Sequence, residues 1–340
     1  MIKIGDIQGK RGERVFGYLT VDETRGRIPV QIPINILCGT VDGPTLLLDA
    51  AIHGEENIGT VAIGQLLRTI QPKEIRGTLI AVPVVNTSGF EFQKRECVWD
   101  DKDINRQGKG DPNGTAAQRL AYTYLNEVVS KANYWIDIHS GGPDAYVWYT
   151  IYEDTPDLTR EVVEKGKDMA LAYGLVDIFC RTPWHGTLHE ISVRQGIPTI
   201  SPEMGGGANF MYYGKEMVDI GMQGIINVMI MLGMLDGKIV TQGPKAKIWD
   251  AKHEITSGPH HGIFLRERMW GDTMQKGEVY GCMYHPYTGE KLADIVAPES
   301  GTVLNSGRVW PVVVRNRFAT ILGDLVEEVD LGQSVLARFM

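Results

Sequence analysis

The sequence predicts an α/β fold: a mixed sheet flanked by helices, followed by a small all-β part at the C-terminus. Strand-length apolar runs alternate with amphipathic helical stretches as far as about residue 235, which is the pattern of a sheet covered on both faces. From about Lys245 the texture changes to short β-rich runs separated by Gly, Pro and Asp turns. The expected organisation is therefore a larger domain over residues 1–240 and a smaller β-rich domain over 245–340.

Two alternating runs, Arg14–Val21 and Val30–Leu37, predict an antiparallel entry into the sheet, with Pro33 marking the second as an edge strand or a broken one. The run Thr45–Asp49 predicts a buried strand ending at Ala51, and Ile58–Arg68 has apolar residues at helical spacing. Gly77–Asn86 predicts a third strand. Residues 87–115 form a polar stretch rich in Asp, Gly and Lys, and a connection that long in a compact domain is often functional. Then come a helix over Ala116–Val129, strands over Tyr134–His139 and Tyr146–Tyr152, and a helix over Pro156–Tyr173. A helix near Leu188–Arg194, a short strand Pro198–Ser201 and a helix over Glu216–Leu232 close the α/β part. Beyond Lys245, strands are expected at Gly262–Leu265, Glu278–Cys282, Lys291–Val296, Gly301–Leu304 and Pro311–Val314.

The 340 residues, 43% hydrophobic and 22% charged, have the composition of a soluble globular protein. A net charge of −8 argues against nucleic acid or an anionic membrane as partner, since both select basic faces. Cys38, Cys97, Cys180 and Cys282 are scattered without a CxxC pair and are expected to be free thiols of a reducing compartment. The N-terminal residues show no apolar signal region, and Gly221–Leu235 is too short and too glycine-interrupted to span a bilayer. The expected location is cytoplasmic.

The chemistry gathers where the strand ending at Ala51 meets the following helix, the kind of junction at which α/β sheets bind ligands. His53 and Glu56 are three apart, a spacing that puts both on one side of a first helical turn. An imidazole nitrogen and a carboxylate oxygen so placed suit one zinc ion. His139, at the end of its strand, shares a strand face with Asp137 and is the candidate third ligand. Three protein ligands with an open fourth position are what a catalytic zinc site requires. Glu203, between a buried strand and three glycines, is the candidate carboxylate for proton shuttling. Within the long polar stretch, Arg95 suits an oxyanion, Asp103 suits the outer nitrogen of a zinc-bound imidazole, and Asn105 with Arg106 suits a carboxylate.

Taken in order, HxxE, Arg95, DxNR (Asp103, Asn105, Arg106), DxHSG (Asp137, His139) and PEMGG (Glu203) resemble the succinylglutamate desuccinylase and aspartoacylase family of the zinc carboxypeptidase clan. The resemblance runs over about residues 14–235 and continues into the β-rich part through Gly271–Gly301. It implies one zinc held by His53, Glu56 and His139. It further implies Glu203 as general base and acid, Arg95 polarising the scissile carbonyl, Asn105 and Arg106 binding the substrate carboxylate, and Asp103 behind His53. One departure stands beside the carboxylate site: the family often has an aromatic-Pro-Gly turn after DxNR, and this chain has Gln107-Gly108-Lys109-Gly110.

The expected activity is zinc-dependent removal of an acyl group, acetyl, succinyl or similar, from an N-acylated, carboxylate-bearing amino acid or related small amine. The nearer alternative is a carboxypeptidase acting on peptide C-termini; the further one is a binding or carrier protein with Lys291 at a lipoyl-type hairpin tip, which lacks the acidic-Lys-Ala surroundings. No GxSxG elbow, P-loop or dinucleotide turn is present. His185 and His189 are candidates to line an acyl pocket but more often partner backbone groups, and His260–His261 fit a plain turn better than a pH-sensitive lid contact. Oligomeric state, including a homo-oligomer, is left open.

Overall fold

The computed structural model describes residues 2–143, 145–206, 209–256, 258, 261–304, 312–313 and 318–340, with the backbone alone at 209–213, 312–313 and 318–319. His260, Pro311 and Val314 of the expectations above lie outside the described residues.

In chain order the elements begin with β1 (Ile2–Ile4), β2 (Ile7–Gly9), β3 (Arg14–Glu23), β4 (Pro29–Cys38), β5 (Val41–Ala50), α1 (Ile58–Thr69) and β6 (Arg76–Val82). Next are α2 (Thr87–Phe92), α3 (Ala116–Glu127), β7 (Tyr134–Ile138), β8 (Val147–Glu153), α4 (Arg160–Tyr173) and β9 (Asp177–Arg181). They continue with α5 (Leu188–Arg194), β10 (Thr199–Gly205), α6 (Asn209–Met231), β11 (Lys245–Thr256), β12 (Gly262–Arg266) and β13 (Thr273–Met274). The last are β14 (Val279–Tyr284), β15 (Lys291–Val296), β16 (Gly301–Val303), β17 (Val312–Val313) and β18 (Phe318–Asp330).

Twelve strands form one mixed sheet in the order β13-β16-β18-β11-β9-β8-β10-β7-β5-β6-β4-β3. Its centre is parallel where β5 pairs with β6 and β7, and β7 with β10. Side chains alternate across it. Leu46, Leu48 and Ala50 of β5 join a core with Ala62, Ile63 and Leu66 of α1 and with residues of α4 and α6. Leu47 joins the opposite core with Trp135 and with Ala117, Leu120 and Tyr124 of α3. The sheet is thus covered on both faces, as expected for an α/β fold.

Several expectations are corrected. β4 is an interior strand, and β3 is the edge; Pro33 is tolerated because only Asn35–Cys38 pair with β6, so at Pro33 the strand has a partner on one side alone. The expected third strand stops at Val82, just before Pro83. The helix expected from Pro156 starts at Arg160, after Thr159 as its N-cap residue. β10 runs on to Gly205, so Glu203 belongs to a strand rather than to a glycine loop.

The C-terminal segment is all-β, as expected, but it does not keep to one sheet. β11, β13, β16 and β18 extend the large sheet through the parallel pairing of β11 with β9, while β12, β14, β15 and β17 form a separate four-stranded sheet. Neither β11 nor β18 is expected from the sequence as a long strand, because charged residues are interleaved through both. All four cysteines are free. No helix among the described residues is long and apolar enough to cross a membrane.

Candidate metal centre and catalytic cleft

The site sits at the carboxyl ends of β5, β7 and β10. After β5 the chain turns sharply: Ala51 adopts a left-handed φ of 53°, and the Glu56 N–H donates to the His53 carbonyl at 3.0 Å. His53 and Glu56 therefore face one another across a turn that precedes α1, rather than along its first turn. Gly54 is required there, since a Cβ on it would lie 2.0 Å from the Gly89 carbonyl carbon. At the end of β7, the His139 N–H donates to the Pro202 carbonyl at 2.9 Å and the Met204 N–H to the His139 carbonyl at 3.0 Å. The extension of β10 thereby sets Glu203 beside His139.

His53 Nδ1 lies 2.9 Å from Glu56 Oε1, His139 Nδ1 lies 2.9 Å from Glu56 Oε2, and the two Nδ1 atoms are 3.2 Å apart. All three residues are buried. Each imidazole has its outer nitrogen committed: His53 Nε2 to Asp103 Oδ1 at 3.2 Å, and His139 Nε2 to Asp137 Oδ2 at 2.9 Å. With a cation held between the rings, the proton of each imidazole would sit on Nε2, donated to Asp103 or Asp137, and both Nδ1 atoms would present lone pairs to the point they share with Glu56. Two nitrogen lone pairs and a carboxylate then converge on one point, a donor set that fits a divalent cation bound by N and O ligands. Burial alone would lower His53 and His139, but the carboxylates around them, Glu56 with Asp103 at the first and Asp137 with Glu56 at the second, together outweigh it and raise both; burial would raise Glu56, and the two imidazoles hold it well below the usual carboxylate range.

The remaining expected residues gather around a cleft of about 570 Å³. Arg95 is held between two anions, its Nε 3.1 Å from Asp103 Oδ2 and an Nη 3.3 Å from Glu56 Oε1. Asp103 thus touches both His53 and Arg95, and its Oδ1 also accepts the Asn105 N–H at 2.8 Å. Asn105 Oδ1 takes the Leu188 N–H at 2.8 Å, leaving its Nδ2 as the end able to donate to a ligand. Arg106 has no carboxylate within salt-bridge distance among the described residues, unlike Arg95 and Arg181. Its guanidinium lies 5.3 Å from the ring centre of Trp184, and Arg181 lies 4.2 Å from the same ring. Trp184 therefore supplies the aromatic contact at the place where the residues after Arg106 depart from the family pattern, and its turn is tied to theirs by the Gly108 N–H on the Gly186 carbonyl at 2.8 Å.

Glu203 faces the cleft, and burial first, then the charge of Glu56, pushes its carboxyl up to about 7. A carboxyl poised there exchanges protons readily near neutral pH. His189 is buried, and its partners are side chains rather than backbone: Nε2 is hydrogen-bonded to Asp137 Oδ2, and Ser201 Oγ lies 3.0 Å from Nδ1. His185 is exposed, with its ring 3.4 Å from Glu190. Trp184, Arg181 and Glu254 line the cleft without having been expected there; Glu254 comes from β11, and nothing in its local sequence points to the site.

Residues 42–232 match the model of the succinylglutamate desuccinylase/aspartoacylase catalytic domain. The chain belongs to this family. It is 26% identical over 262 residues, 75% of this chain and 74% of the other, to the N-alpha-acetyl-L-2,4-diaminobutyric acid deacetylase of Halomonas elongata. Among solved structures it resembles a succinylglutamate desuccinylase/aspartoacylase from Rhodobacter sphaeroides, with 25% identity, a TM-score of 0.80 and coverage of 92% of this chain and 96% of that one. The product-bound ectoine utilization protein EutE (DoeB) of Ruegeria pomeroyi shares the fold at 22% identity and a TM-score of 0.80, over 92% of this chain and 95% of that one.

Proposed function

We propose that this family member is a zinc-dependent amidohydrolase that removes an acyl group, acetyl, succinyl or similar, from an N-acylated amino acid or related small amine bearing a carboxylate. The observation that carries the reading is one cleft in which three metal-type donors, the Glu203 carboxyl and an Arg106 with no carboxylate in salt-bridge distance among the described residues stand together. The Halomonas relative, named for deacetylating an N-acetylated diamino acid, supports this substrate class.

His53, Glu56 and His139 would hold the zinc. When bound, it would act as a Lewis acid on the scissile carbonyl and bring the pKa of a coordinated water to about 7. The chain's own residues do the rest. Arg106, over the Trp184 ring, and the Asn105 amide take the substrate's carboxylate and so fix the amide within the cleft. Arg95, already oriented by Asp103, donates to the carbonyl oxygen as negative charge develops there. Glu203 accepts the proton of the attacking water and delivers it to the departing nitrogen. Asp103 and Asp137 keep Nδ1 of each histidine unprotonated and directed inward. A catalytic part over 1–240, a β-rich part over 245–340 that lends Glu254 to the cleft, and action in the cytoplasm on small molecules without nucleic-acid or membrane partners belong to the same proposal.

The test is a mass-spectrometric hydrolysis screen of N-acyl amino acids and short peptides. Release of a free amino acid from one acyl class is the expected result. Release of C-terminal residues from peptides alone would replace this reading with a carboxypeptidase.

A further inference from the structure

Behind His139 lies a pair of carboxyl groups: Asp137, which orients His139, and Asp49, which the mechanism above does not use. Asp49 and Asp137 are in register on the neighbouring parallel strands β5 and β7, and neither has any exposed surface. Both side chains project to the face of the sheet that holds Trp135 and Tyr124. Two ionised carboxylates side by side without solvent repel strongly, so one of the pair takes up a proton.

The hydrogen bonds say which. Asp137 Oδ2 accepts from two imidazoles, His139 at 2.9 Å and His189. Asp49 meets only neutral donors, the Trp135 indole N–H at 2.9 Å and the Tyr124 hydroxyl. The anion therefore belongs on Asp137 and the proton on Asp49. One atom completes the argument: Asp137 Oδ1 is buried and has no hydrogen-bond partner among the groups that donate without a change of protonation, and the Asp49 carboxyl lies within hydrogen-bonding reach of Asp137. A buried acceptor left unpaired costs about 1–3 kcal/mol, and an O–H on Asp49 removes that cost.

We infer that Asp49 is held as a neutral carboxylic acid whose O–H donates to Asp137 Oδ1, making it a positioning residue that acts on His139 through Asp137. Burial first, and then the charge of Asp137, raise the Asp49 carboxyl well above the usual range. The acid is independent of any metal. Its consequence for metal binding rests on the zinc reading of the site: with Oδ1 satisfied, Asp137 keeps its other oxygen on the His139 Nε2–H and so keeps the His139 Nδ1 lone pair turned toward the cation.

Three measurements on the full chain test this: infrared spectra in the carboxylic-acid carbonyl region, ring ¹H–¹⁵N NMR of the histidines, and zinc affinity by competition with a chromophoric chelator. At neutral pH the wild type should show a protonated-carboxyl band that Asp49→Asn lacks. In Asp49→Asn the Nε2–H resonances of His139 and His189 should move, because Asp137 is their shared acceptor, while that of His53, on Asp103, stays in place. Asparagine can donate to Asp137 Oδ1, so its zinc affinity should remain within about threefold of wild type, whereas Asp49→Ala should lose about 10–100-fold. Identical infrared spectra for wild type and Asp49→Asn, or unmoved His139 and His189 resonances, would overturn the inference. So would an asparagine variant that loses zinc as the alanine variant does. The infrared and NMR arms need neither the alanine variant to fold nor the wild type to take up zinc, so a wild type that binds no zinc would count against the metal reading alone.

Discussion

Glu203 is a half-buried carboxyl group and Asp49 a fully buried one, and their neighbours send them to different tasks. Glu203 opens on the cleft with a carboxyl raised to about 7, so it can both take and give a proton near neutrality. Replacing it by glutamine keeps the shape and removes the exchange. Glu203→Gln should keep its full zinc content by mass spectrometry and lose about 10²–10⁴-fold in turnover; near-normal turnover would remove Glu203 from its role. Asp49 instead leaves a signature in stability. Its folded-state pKa lies above that of the unfolded chain, so the stability it contributes is complete below about pH 4 and declines as pH rises toward the folded value. The decline is at most about 1.4 kcal/mol per pH unit, and Asp49→Asn abolishes it. Denaturation midpoints from pH 5 to pH 8 should therefore shift in favour of the asparagine variant as pH rises. A constant difference between the two proteins would contradict the assignment. Much at this scale was legible beforehand, because His53, Glu56, Arg95, Asp103, Asn105, Arg106, His139 and Glu203 stand in short motifs, and the structure brings all of them to one cleft. Asp49 and Trp184 were not, since the first looks like the polar end of an apolar run and the second acts only through arginines distant in sequence.

The site depends on how strands end. β5 closes in a left-handed residue and a tight turn, and that turn, rather than a helix, brings His53 and Glu56 together. Three-residue spacing serves a turn closed by a hydrogen bond from residue i+3 as well as it serves a helix, so the sequence could not separate the two. Gly54 is the sensitive point. A methyl there would collide with the backbone of Gly89, which no side-chain rotation relieves. Gly54→Ala should lower stability by about 1–3 kcal/mol, read as a lower denaturant midpoint at unchanged slope, and should weaken zinc binding along with it. Wild-type stability would show that the turn gives way freely. The extension of β10 is the second such device, because its pairing with His139 places Glu203 at the centre; a strand prediction ending at Ser201 missed it because Pro202 and the glycines beyond resemble a loop.

Across the whole molecule, the α/β expectation survives, and the sheet is larger than the sequence suggests. β11 and β18 were missed because their charged residues hide the alternation, yet β11 pairs with β9 and brings Ala251 and Glu254 to the cleft. The C-terminal segment therefore contributes to the same cleft as the metal-type donors, a feature that depends on long-range pairing and leaves no local mark. The central claim is that one zinc ion on His53, Glu56 and His139 makes this cleft hydrolytic. The most direct measurement is a titration of chelator-stripped protein with zinc while amine release from an N-acyl amino acid is followed. Activity should rise in proportion to added zinc and level off at one equivalent per chain, with His53→Ala flat throughout. Full activity in the stripped protein, or unchanged zinc-dependent activity in His53→Ala, would contradict the account.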